Sequence, residues 1–315
     1  MTSPSDSISS KQLFFYALIL VLVWGSAFTL ITVGIRYVSP SWLVAYRLLL
    51  GTVILVTYMF IRGGRFPALN DKRWLWYGVL GITGMSLPFF LVSTGQLVVP
   101  SGLSAILIGA MPIITIILAH FFTDERLTIR KLIGFLIGFI GIIVLFLPDD
   151  LSLNLIADWK SQLLILGGAA CYAITTVAAK RAPKTSSTVA ACIMLVSATL
   201  SAFIGAVLYS GVSAGIPTEG SWLTLFGTVL LLGVGSTAFA TILYLYIIEK
   251  TGPSVIAKVN YFVPVCSVAL GVWLLNEPFK LQMVIAFGVI ILGIIISREK
   301  KLETASASPS TPQTD

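Results

Sequence analysis

Two cations interrupt otherwise apolar runs of this 315-residue chain, Arg47 and Lys258. A charge deep in a lipid-facing segment costs about 2.5–3.5 kcal/mol on insertion scales, so each marks a functional hypothesis. Arg47 lies well inside its run, where it reads as a charge in a cavity or a structural network, with snorkelling to the headgroups as the alternative. Lys258 lies nearer the edge of its run, where it reads either as a cavity charge or as a side chain snorkelling to headgroups. Asn260 and Tyr261 follow it, and the three-residue spacing of Lys258 and Tyr261 puts them on one helix face. An ammonium, an amide and a phenol together suit a carboxylate or a zwitterion. The competing reading gives Asn260 an interhelical hydrogen bond and Tyr261 a packing role. Trp24 and Phe28 are four apart and spaced to wall a cavity, with Ser26 between them as a candidate contact or a small residue for helix packing. Phe90, Tyr172 and Tyr244 are further aromatic candidates for such a wall.

Other chemistries lack their residues. All 13 acidic residues fall in loops, tails or helix ends, so the intramembrane carboxylate that many proton-driven carriers use is not evident. The single histidine, His120, stands near the end of an apolar run, either as an interfacial residue or as a titrating group. Cys171, Cys192 and Cys266 lie inside apolar segments without a CxxC pair, which argues against a metal site or a disulfide framework. No catalytic residue, metal or cofactor is expected. The net charge of +7 resides in short basic clusters between apolar runs, a pattern of membrane loops and not of a nucleic-acid surface.

The elements that must hold these residues are membrane helices. The chain is 57% hydrophobic and only 10% charged, with mean hydropathy +0.98. That leaves too little polar surface to cover a water-soluble fold, where about 25% of residues are charged. Ten segments are long and apolar enough to span a bilayer: 13–35, 41–60, 74–95, 101–122, 131–148, 161–180, 189–209, 222–247, 254–275 and 281–297. The first reads as a spanning helix and not as a cleavable leader. With the N-terminus inside, fifteen Lys and Arg residues flank the spans on that side, against Arg36, Lys160 and Lys280 outside. This bias predicts that both termini are cytoplasmic. The tail 298–315 is rich in Ser, Thr and Pro and reads as disordered.

A shift of 152 residues partly overlays the chain on itself: Gly81 on Gly233, Ala105 on Ala257, Pro112 on Pro264, Glu125 on Glu277, and Gly141-Ile142-Ile143 on Gly293-Ile294-Ile295. Five spans per half is an odd number, so the second half enters from the opposite side, the inverted-repeat plan of many secondary transporters. The expected organisation is a tail (1–12), a first five-helix repeat (13–148), a linker (149–160), a second repeat (161–297) and the polar tail. Pro88, Pro112 and Pro264 stand inside spans and are expected to bend them, the last two as a symmetric pair. Glu125 and Glu277, beside Asp124 and Asn276, are expected to act as structural helix caps.

Trp24-Gly25-Ser26-Ala27-Phe28, Arg47, Ala105…Pro112…Glu125 with Gly134, Gly138 and Gly141, and then Ala257…Pro264…Glu277 with Gly288 and Gly293, form an ordered set. In this set the chain resembles the drug/metabolite transporter superfamily, in its EamA-type ten-helix branch. The resemblance implies an all-α integral membrane fold, ten transmembrane helices as two inverted five-helix repeats around a central cavity. It further implies a secondary transporter in a prokaryotic cytoplasmic membrane that moves small organic solutes by alternating access, as an exporter of amino acids or related metabolites and drugs. A zwitterionic or anionic metabolite and the lipid bilayer are the expected partners, with no nucleic acid. A membrane-embedded enzyme and a solute pore on the same scaffold are the alternatives.

Overall fold

The computed structural model describes residues 8–99, 104, 107–124, 126–145, 159–217, 222–275 and 281–297. Every regular element among them is helical. The first is α1 (Ser10–Gly34), which starts ahead of the expected span. Ser9 and Gln12 form a capping box there, each side chain meeting the other's backbone N–H at 3.2 Å. Next comes α2 (Pro40–Ile61), opened by a proline whose missing N–H is no loss at a helix start. α3 (Lys72–Gly81) is capped by Asp71 and runs through a π-helical turn, Ile82–Ser86, into α4 (Leu87–Gly95).

α5 (Met111–Phe122) and α6 (Ile129–Leu145) follow, then α7 (Trp159–Arg181) and α8 (Ser187–Ser210). The start of α7 makes the last two residues of the expected 149–160 linker helical; the rest of that linker, residues 1–7 of the N-terminal tail, all of 298–315, and Glu125 and Glu277 lie outside the described residues. A 3-10 turn, Ser213–Gly215, precedes α9 (Trp222–Leu230), whose helix continues through a nine-residue π-helical stretch, Leu231–Phe239, into α10 (Ala240–Thr251). Gly252, at φ 89°, ends α10 and hands over to α11 (Pro253–Asn260). α12 (Phe262–Leu275) and α13 (Leu281–Ile296) complete the set.

Among the described residues, six helices are long and apolar enough to cross a membrane: Ser10–Gly34, Pro40–Ile61, Lys72–Gly95, Trp159–Arg181, Ser187–Ser210 and Trp222–Thr251. Their outer faces are apolar. Phe14, Leu208 and Leu223 are 70%, 81% and 84% exposed, side chains that lipid solvates and water does not.

The bundle is knit across the two halves of the chain. α2 packs on α8 and on the second π-helical stretch, α1 on α12, α5 on α7 and α11, and α6 on α13. The two π-helical stretches occupy positions that the 152-residue shift superposes, since Gly81 precedes one and Gly233 lies in the other. The chain is also irregular ahead of both symmetric prolines. A turn at Gly109 and Ala110 precedes Pro112, the second residue of α5, and Tyr261 breaks the path between α11 and α12 ahead of Pro264. A proline cannot donate to the carbonyl four residues before it, which weakens the helix at that turn. Pro88 stands second in α4, directly after the first π-helical turn.

Candidate functional site

Close approach of two backbones positions the central cation. A Cβ added to Gly51 of α2 would stand 2.8 Å from the carbonyl oxygen of Gly233, and one added to Gly233 would stand 2.8 Å from that of Arg47. Only residues without side chains permit this contact. One turn along each element from it lie Arg47 and Thr237, which thereby face each other. Arg47 is 3% exposed and donates Nε and Nη2 to Thr237 Oγ1 at 3.2 and 3.0 Å. Thr237 in turn donates to the carbonyl of Leu232 at 2.8 Å, five residues back within the π-helical stretch. The Arg47 guanidinium carbon lies 4.0 Å from the centre of the Phe89 ring, a cation–π contact.

Arg47 borders a cavity of about 150 Å³ between the halves. Trp24, Ala27, Phe28 and Ile31 of α1 form one wall, with Met85 of the first π-helical turn and Phe89 and Val92 of α4. Tyr172, Thr175 and Thr176 of α7 face them, with Ser236 of the second π-helical stretch, Thr241 and Tyr244 of α10, Asn260 of α11 and Val263 of α12. Trp24 and Tyr244 meet edge to face at 6.0 Å, and the Phe89 and Tyr172 rings lie tilted at 6.3 Å. Tyr244 donates to Thr176 at 3.0 Å, and Ser236 ties the second π-helical stretch to α1 through the Val23 carbonyl at 3.0 Å. Among the described lining residues Arg47 is the single cation and none is acidic. Chemically, the cavity is an aromatic and aliphatic pocket with one fixed positive charge and a few hydroxyls.

Six of the ten candidate binding residues therefore meet in one place: Trp24, Phe28, Arg47, Tyr172, Tyr244 and Asn260. The other four do not line it. Ser26 donates to Val23 of its own helix at 3.0 Å. Phe90 lines a separate groove of about 250 Å³ with Ser41, Ser86, Ser201 and Tyr209, and meets the Tyr209 ring at 5.0 Å. Lys258 is partly buried on α11 away from the cavity. Tyr261 is 1% exposed and donates to the Phe135 carbonyl at 2.6 Å, against Gly138. The expected trio of ammonium, amide and phenol is thus split, because the helix breaks at Tyr261 and a shared face needs a continuous helix. Asn260 alone of the three reaches the cavity, while its Nδ2 donates to Ile256 at 3.1 Å. His120 is exposed and accepts from the Leu127 N–H at 3.1 Å, outside the site.

Thr237 and Phe89, the two direct partners of Arg47, were not among the candidates from sequence. Phe89 lies between two singled-out residues, Pro88 and Phe90, and Thr237 stands one turn after Gly233 of the repeat. Those positions were the available signals.

The profile of the EamA-like transporter family matches residues 12–147 and, a second time, residues 159–298. An uncharacterized transporter of Archaeoglobus fulgidus is 27% identical over 288 residues, which cover 89% of this chain and 96% of the relative. The uncharacterized inner membrane transporter YedA of Escherichia coli is 25% identical over 290 residues, covering 88% of this chain and 87% of its own. The uncharacterized transporter YoaV of Bacillus subtilis is 23% identical over 279 residues, covering 88% and 93%. A crystal structure of another protein superposes with a TM-score of 0.72 at 22% identity, over 90% of this chain and 96% of that one, which shows a shared fold.

Proposed function

The chain belongs to the EamA-like transporter family, and from that membership we propose that it is a secondary transporter moving small organic solutes across the cytoplasmic membrane by alternating access. Its direction is export, and its cargo is amino acids or related metabolites and drugs. The observation that carries this reading is the cavity of about 150 Å³ walled by both halves, with Arg47 of the first half hydrogen-bonded to Thr237 of the second. A carboxylate-bearing solute has its counter-charge there, and a site shared by two halves changes its exposure when they move relative to one another.

The fold behind it is ten transmembrane helices in two inverted five-helix repeats, 13–148 and 161–297. Three observations support that arrangement: the twofold match of one family profile, the π-helical stretches at corresponding positions, and the paired irregularities ahead of Pro112 and Pro264. The excess of Lys and Arg on one side supports cytoplasmic termini. The relative YedA, named an inner membrane transporter, supports the location.

Counterflow in proteoliposomes tests the function. Vesicles are loaded with an unlabelled amino acid, one of a panel at a time, and trace label is added outside without an ion gradient. Transient accumulation by wild type, lost in Arg47→Ala, is the expected result. Flux without saturation or trans-stimulation would mean a pore, and turnover by the pure protein in detergent would mean an enzyme.

A further inference from the structure

We infer that, among the solutes proposed above, the cavity prefers an organic monoanion with an apolar body of about one ring to the corresponding zwitterionic amino acid, which it binds more weakly. The inference rests on reading this cavity as the transport site. Arg47 is the single cation among the described lining residues, none of which is acidic, and its hydrogen bonds through Nε and Nη2 both go to a neutral hydroxyl. One carboxylate neutralises this site. The ammonium of a zwitterion finds no carboxylate on the wall and sits in the field of the guanidinium. The aromatic faces offer it a cation–π contact, which returns less than stripping water from an ammonium costs.

The hydrogen-bond inventory gives the carboxylate a place. Among the described residues neither Arg47 Nη1 nor the Tyr172 hydroxyl has a hydrogen-bond partner, although both groups belong to the cavity wall. The Phe89 ring touches both side chains, 4.0 Å from the Arg47 guanidinium carbon and 6.3 Å from the Tyr172 ring. Beside that ring, in one cavity, a guanidinium N–H and a phenol O–H are thus available as donors to a carboxylate. Thr237 holds the other edge of the guanidinium, so the free edge is presented without further ordering.

Size and lining then define the body. An apolar protein cavity of about 150 Å³ takes one benzene ring, and the volume here is about 150 Å³. Trp24, Phe28, Tyr244 and Met85 supply faces and edges for such a ring.

Three ligands that share a phenyl body separate the charges: 3-phenylpropanoate, L-phenylalanine and 2-phenylethylamine. Each is titrated by calorimetry into the purified full chain in nanodiscs, with empty nanodiscs subtracted. The propanoate is expected to bind at least about tenfold more tightly than phenylalanine, and the amine not at all. Tyr172→Phe removes one hydroxyl without changing the wall and is expected to weaken the propanoate about tenfold, while R47Q abolishes its binding. Phenylalanine binding as tightly as the propanoate, or propanoate binding indifferent to both substitutions, overturns the inference. So does the absence of binding by all three. If amino-acid counterflow persists in that event, the transporter reading stands and the charge rule alone falls; if counterflow is absent too, both fall.

Discussion

The guanidinium of Arg47 donates Nε and Nη2 to a single hydroxyl oxygen, that of Thr237, across 190 residues of sequence. The same hydroxyl donates onward to Leu232 within a π-helical stretch. One threonine therefore holds one edge of a buried guanidinium and helps to hold an irregular turn of the helix that faces it.

Thr237→Val keeps the side-chain shape and removes that hydroxyl. It leaves two buried N–H groups of Arg47 without an acceptor, at a cost of about 1–3 kcal/mol. The expected outcome is a loss of about 2 kcal/mol in reversible unfolding in mixed micelles, with Thr237→Ser close to wild type. Equal stability of the valine variant would mean that the hydroxyl is dispensable to the guanidinium.

Tyr261→Phe separates packing from transport. Its hydroxyl bonds to Phe135 and does not line the cavity. Stability should fall by about 1 kcal/mol while counterflow keeps its half-saturation concentration. A transport defect at unchanged stability would return Tyr261 to the solute path.

Gly134→Ala tests the contact between α6 and α13. The added Cβ would stand 2.5 Å from the Gly293 carbonyl oxygen and 2.5 Å from the Ser297 backbone nitrogen, atoms that cannot rotate away. Separating the helices should cost about 1–3 kcal/mol, read as a lower thermal midpoint. Gly227→Ala is the control, since nothing lies within 4 Å of its added Cβ. It should leave the midpoint unchanged or slightly raised.

Asp71 gives the pH prediction. Arg73 donates Nε and Nη2 to its two oxygens at 3.0 and 2.7 Å and its backbone N–H at 2.8 Å. The guanidinium and backbone hydrogen bonds of Arg73 hold the carboxyl at about 2, below the ordinary value of about 3.9. The folded-state pKa is depressed, so the cap of α3 contributes fully above the ordinary carboxylate pKa. It is lost as pH falls through about 2. Carbon-13 NMR of the Asp71 carboxyl should show it ionised down to roughly pH 3, and Arg73→Gln should move its midpoint upward.

The helical, membrane-spanning character was legible from sequence because hydropathy is local. The apolar runs of α1, α2 and α8 must leave water wherever they lie. Arg47 was legible for the same reason, as a charge in a run that excludes charge. The sequence left Tyr261 open between solute contact and packing; the contact reading needs its three-residue spacing from Lys258 to lie on an unbroken helix, and the path breaks at Tyr261 itself. Ser26 lies beside cavity residues in sequence, yet its hydroxyl turns back to Val23.

Sequence alone determined that this chain is a bundle of apolar helices with a rare buried cation, since both follow from the free energy of moving each residue out of water. The tertiary structure decided which side chains meet that cation. Thr237 and Phe89 reach Arg47 because Gly51 and Gly233 let two distant elements touch backbone to backbone, and van der Waals contact between remote segments leaves no mark in local hydropathy.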